Sequence, residues 1–118
     1  MKLRMMRKGN IKGFTLVELI IVMAILALLA GLAAPKFVSV LSGSKTKVHN
    51  SNLHLIEQAA ELYSTQNPDD KKNQTTIDGK DFLVSGEYLK EAPTNPLTGA
   101  KDYWVEINDG DIKVGPDK

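Results

Sequence analysis

The sequence contains no cysteine, one tryptophan and two histidines. Without cysteine there is no disulfide to staple a small exported domain, so whatever folds must do so on packing alone. His49 and His54 stand five apart, off a common helical face. They are therefore poorly placed to share a metal, and surface or interface positions are expected for both. No Ser/His/Asp set, phosphate loop or zinc-type spacing occurs, and no internal repeat. Trp104, alone of its kind, reads as a packing residue. An excess of positive charge is also missing from most of the chain. Lys2, Arg4, Arg7, Lys8 and Lys12 supply five of the 15 basic residues and no acidic residue accompanies them, so from residue 14 onward ten basic residues face 14 acidic ones, a net −4. That balance argues against direct nucleic-acid binding. The chain is also short of globular mass: with one long helix set aside, roughly 50 residues remain, too few for an ordinary enzyme core, and no enzymatic activity is expected.

What is present is a basic leader followed by a membrane-length apolar run. From Phe14 to Ala34 only Thr15 and Glu18 interrupt the run, which as a helix would measure about 31 Å and match a bilayer's hydrocarbon core. A glutamate inside such a segment costs roughly 2.5 to 3.5 kcal/mol at the helix centre and less near an end. Cleavage after Gly13 would create its partner, because Phe14 would then carry a positively charged α-amine one helical turn from Glu18, in the same chain or in a neighbour. The leader's charges outweigh Lys36, Lys45 and Lys47 beyond the span, which predicts an N-terminus inside and an exported C-terminal part. Two other readings compete. Gly31-Leu32-Ala33 offers a secretory cleavage site before Ala34, although Glu18 then falls inside the apolar region and Pro35 crowds the cut. A plain single-span anchor gives no reason for Gly-Phe-Thr-Leu-Val-Glu at the membrane entrance.

The segment Lys12-Gly13-Phe14-Thr15-Leu16-Val17-Glu18, with the apolar run and Pro35 behind it, resembles the class III signal of type IV pilins and of the pseudopilins of type II secretion and competence systems. The likeness is strong over residues 1 to 66 and rests on general architecture beyond. It implies removal of residues 1–13 by a prepilin peptidase between Gly13 and Phe14, N-methylation of Phe14, and a role for Glu18 in assembly. It further implies a homopolymeric filament, an assembly ATPase, an inner-membrane platform protein, and passage from the cytoplasmic membrane into an extracellular or periplasmic fibre. The function expected on this basis is that of a structural subunit of a type IV pilus or pilus-like filament; the alternative is a major pseudopilin of a secretion or DNA-uptake system. A non-polymerising membrane-anchored or secreted binding module is the alternative from another class. The absence of cysteine departs from many Gram-negative major pilins, whereas the presence of Glu18 suits a body subunit. Major pseudopilins of similar size bind calcium in a C-terminal loop, which makes Asp102, Asp109, Asp111 and Asp117 the calcium candidates; no other cofactor is implied.

The fold expected is α+β, with a long helical spine and a small C-terminal region. After the leader (1–13) come an assembly helix (14–35), an amphipathic spine (36–66) and a globular region (67–118). The helix, Phe14 to Gln66, would run about 80 Å, with Gly31 and Pro35 as sites of a kink or local melting. Phe37, Leu41, Val48, Leu55, Ala59 and Leu62 form the stripe expected to face the globular part. Lys71 to Thr76 reads as a polar loop, Gly79 to Ser85 as a short helix capped by Asp78, with Phe82 and Leu83 inward. Asp102–Ile107 and Asp111–Val114 read as a hairpin turning through Asn108-Asp109-Gly110, with Val105 and Ile107, or Tyr103 and its alternates, against the spine.

Overall fold

A computed structural model describes Lys2, Gly9 and residues 12–116, so Arg4, Arg7 and Lys8 of the leader and Asp117 of the calcium candidates lie outside the described residues. The element order is α1 (Leu16–Gln66), β1 (Lys72–Thr76), α2 (Phe82–Ser85), β2 (Trp104–Asn108) and β3 (Asp111–Gly115). The chain divides into two compact units, Met1–Val38 and Ser39–Lys118.

In the first unit the described residues are helical from Leu16 onward, and none is buried. The helix begins two residues later than the expected Phe14, because Thr15 serves as its N-cap. The melting expected around Gly31 and Pro35 does not occur: α1 is continuous through both. A proline interior to a helix forfeits one backbone hydrogen bond and crowds the preceding turn, yet the helix runs on through Pro35.

In the second unit the three strands form one antiparallel sheet in the order β1-β2-β3. Polarity had concealed β1. Its sequence Lys-Asn-Gln-Thr-Thr has no apolar alternation, yet it pairs with β2 through Lys72↔Ile107, Thr75↔Val105 and Thr76↔Trp104, with a bulge between Lys72 and Thr75. As an edge strand it takes its stability from backbone hydrogen bonds and can afford polar side chains. The β2–β3 hairpin is as expected. Asn108 pairs with Asp111, and Asp109 (φ 50°) and Gly110 (φ 82°) occupy the left-handed positions that a two-residue type I′ turn requires. Trp104 pairs across the hairpin with Gly115, over whose α-carbon its indole lies.

Alternation along β2 turns Tyr103, Val105 and Ile107 to the buried face. Against them pack Ile56, Ala59, Ala60 and Tyr63 of α1, with Ile77, Leu83, Leu89 and Ala92 closing the core. This corrects the expected stripe. Phe37, Leu41, Val48, Leu55 and Leu62 are all exposed and only Ala59 of that set is buried. The face that meets the sheet runs instead through His49, Ile56, Ala60 and Tyr63, at intervals of seven, four and three. Small alanines allow the helix to approach closely, and His49 Nδ1 and the Tyr63 hydroxyl find partners, whereas His49 Nε2 is buried without one. The short helix α2 is capped by Asp81, not Asp78: Asp81 Oδ1 accepts from the Leu83 and Val84 amides at 3.0 and 3.2 Å. Asp78 closes the preceding turn by accepting from Lys80 N–H at 2.8 Å.

Candidate processing and assembly site

Gly13 and Phe14 lie in exposed, non-helical chain immediately before the helix. A Cβ placed on Gly13 would meet nothing within 4 Å, so no packing within the described chain demands glycine there. Thr15 and Glu18 then form a reciprocal cap. The Glu18 amide donates to Thr15 Oγ1 at 3.2 Å, and the Thr15 amide donates to Glu18 Oε2 at 2.9 Å. This is a capping box, in which two of the amides left without partners at a helix N-terminus are satisfied by side chains. The pattern Thr-x-x-Glu is the sequence signature of this cap, and it gives Glu18 a structural role besides its charge. The box fixes the carboxylate at the first turn, where the helix dipole favours it. A carboxylate has about four lone-pair sites, so the Thr15 bond leaves capacity for a further cation. Around Glu18 the helix surface is apolar: Leu16, Val17, Leu19, Ile20, Ile21, Val22 and Met23 are all half or more exposed. Such a length of apolar helix is suited to a membrane, and its composition is that of a spanning segment.

A second polar constellation lies inside the second unit. His49, expected on a surface, is 1% exposed; its Nδ1 lies 3.0 Å from the Tyr103 hydroxyl, with the two rings stacked at 5.5 Å. Asn52 Nδ2 donates to the same hydroxyl and to the Thr94 carbonyl, both at 3.3 Å. Burial pushes the Tyr103 hydroxyl pKa up, against the opposite effect of Asn52. The neighbouring loop is built on Asn95, whose side chain accepts from Leu97 N–H and whose backbone pairs with Gly99 and Ala100. Together these groups seat the helix on the loop that leads into β2. His54, by contrast, is exposed and lies 3.4 Å from Glu57.

The calcium candidates among the described residues, Asp102, Asp109 and Asp111, do not converge. Asp102 Oδ2 accepts from the Thr98 hydroxyl at 2.7 Å, Asp109 pairs with Lys71 at 2.8 Å, and Asp111 lies beside Lys113. Among the described residues no three His, Cys, Asp or Glu side chains gather as a metal site. The hairpin geometry is the reason: Asp109 and Asp111 project from a tight turn toward lysines, away from the loop that holds Asp102.

Comparison with known proteins agrees with the geometry. Residues 8–34 match the family described as "Prokaryotic N-terminal methylation motif". The chain is 32% identical over 108 residues to the type II secretion system core protein G of Aeromonas hydrophila, covering 77% of this chain and 71% of that protein. The chain belongs to the type IV pilin and pseudopilin family. A second relative of this pilin-like chain is the prepilin peptidase-dependent protein A of Clostridium perfringens, 43% identical over 56 residues, 47% of this chain and 40% of that protein. No solved structure matches it significantly.

Proposed function

We propose that this pilin-family chain is a non-enzymatic body subunit of a pseudopilus-type filament, cut between Gly13 and Phe14 and polymerised out of the membrane. The observation that carries the reading is Glu18 held by Thr15 at the first turn of a helix whose first half is apolar and exposed, five residues past an unpacked glycine. After cleavage the Phe14 amine becomes a cation beside that carboxylate. In a low-dielectric array the two charges neutralise each other, and their pairing sets the axial position of each subunit. The relative matched over most of its length is a type II secretion core protein, which favours a secretion-type pseudopilus over a surface pilus. The name of the second relative supports dependence on a prepilin peptidase. The apolar helix and the basic leader support a single membrane pass with the leader inside.

The test is genetic and microscopic. Replacing Gly13 with a bulky residue disturbs no packing in the chain, so a full-length, membrane-held precursor is expected as a recognition defect. Cleavage of Gly13→Leu at the normal rate would count against the assignment of the cut site. A protein that is cleaved correctly but never found in filaments would favour a membrane-tethered binding module instead.

A further inference from the structure

The sheet has two edges, and they differ. β1 is polar and interrupted by a bulge between Lys72 and Thr75, features that blunt an edge. β3 is regular and pairs residue for residue with β2. Because the hairpin closes on Asn108 and Asp111, the ladder bonds of β3 fall on Asp111, Lys113 and Gly115. The N–H and C=O groups of Ile112 and Val114 therefore point away from β2, and among the described residues none of the four has a backbone partner. The side chains of Ile112 and Val114 lie on the core face, half-buried. Beside this open edge, between α1 and β3, is a cavity of about 240 Å³ lined by Asn50, Leu53, His54, Glu57 and Val114. Asn50 Oδ1 is buried there without a hydrogen-bond partner. Leu53 and Val114 give the cavity apolar walls, Glu57, 3.4 Å from His54, gives it a carboxylate, and no lysine or arginine lines it.

We infer that the β3 edge takes up an extended segment of a different polypeptide as a fourth strand, with a lysine or arginine of that segment seated in the cavity. A strand added about 4.8 Å from β3 satisfies the free backbone groups of Ile112 and Val114. Side chains alternate across a sheet, so every second residue of the newcomer turns toward the core face, and the one beside Val114 enters the cavity. The lining selects that side chain. Leu53 and Val114 suit an apolar stem, whereas Asn50 Oδ1 and the Glu57 carboxylate both call for a donor at its end, and lysine and arginine combine the two. An acidic side chain would meet a carboxylate and an unpaired acceptor instead. A second copy of the chain is a poorer occupant. Its β1 edge carries the bulge, and its β3 edge sets Ile112 and Val114, neither of them a side-chain donor, on the core face. Strand addition here requires neither cleavage at Gly13 nor polymerisation.

Defined peptides test this. Fluorescent peptides of about nine residues, alternating valine and threonine with lysine, leucine or glutamate at the centre, are titrated into the full-length chain in detergent micelles, with empty micelles as the blank. The lysine peptide should bind about tenfold more tightly than the glutamate peptide, with leucine between them, and Glu57→Lys should reverse that order. Hydrogen exchange locates the contact. The lysine peptide should slow the amides of Ile112 and Val114 by about tenfold or more, while that of Lys113, already bonded to β2, stays unchanged. Val114→Pro removes an edge donor that the chain itself does not use, so it should abolish binding and leave the thermal transition in place. No binding, equal affinity for the three peptides, protection that spares both edge amides, or undiminished binding to Val114→Pro would each overturn the inference. Slowing of the same amides by raised chain concentration alone would also overturn it, by assigning the edge to a second copy.

Discussion

Glu18 and Thr15 hold different shares of one task, and single substitutions separate them. On the proposed pairing, Glu18→Ala removes the partner of the Phe14 amine while leaving the second unit untouched. Export and cleavage should persist and filaments should become scarce, because an unpaired amine entering an apolar core costs several kcal/mol; microscopy of sheared filaments reads this. Thr15→Val keeps the bulk but loses the cap, worth about 1 kcal/mol, and a milder loss of filaments is expected. Inside the second unit, Tyr103→Phe strips one hydroxyl from both His49 and Asn52. A loss of about 1 to 3 kcal/mol in denaturant unfolding should result, because buried partners are left unsatisfied. Asp70 gives a pH dependence. Its carboxyl is held below the usual range first by the Tyr63 hydroxyl and then by Lys72, 2.9 Å away. A depressed folded pKa means that the contribution is complete above the unfolded value, about pH 4, and is lost as pH falls through the folded value. Thermal melts between pH 7 and pH 2 should therefore show an acid limb that Asp70→Asn flattens; an unchanged limb would exclude this residue as its source.

At the scale of elements, the helix end, α2 and the sheet depend on one another. Tyr63 packs against Phe82 and Tyr88, and Lys72 of β1 lies over the Tyr63 and Phe82 rings at 5.8 and 5.4 Å, so strand and helix terminus are tied by aromatic and cation–π contacts. A fragment of residues 39–118 should accordingly melt cooperatively as a soluble monomer. A fragment beginning at Pro68 should not, since it loses Ile56, Ala59, Ala60 and Tyr63 from the core. Circular dichroism on the two fragments decides the matter, and a cooperative transition in the shorter one would contradict this dependence. The elements differed in how far they could be read beforehand. The hairpin was legible because Asp-Gly between alternating residues has few other uses. The apolar segment and its glutamate were legible for the same reason. The spine's inner face was not, because the heptad of Leu41, Val48, Leu55 and Leu62 is the stronger apolar pattern, whereas His49, Ile56, Ala59, Ala60 and Tyr63 form the actual contact and only Ala59 belongs to the expected stripe. β1 was hidden by its edge position, and Asp81 by a nearer aspartate, Asp78, that serves a turn.

For the whole molecule, the two compact units answer to different solvents. The helical residues of the first are apolar but for Glu18 and Lys36 and are uncovered by the described chain, as suits a segment that meets lipid or like neighbours. Those of the second bury a small core under a helix whose outer face is again apolar. Both exposures have the same explanation if the chain functions as a polymer cut from a membrane precursor. The most direct measurement is the intact mass and N-terminal peptide of the chain recovered from sheared filaments. The predicted result is a filament subunit that begins at Phe14 and carries an N-terminal methyl group; a chain that begins at Met1 or at Ala34, or that is absent from every filament fraction, would contradict it.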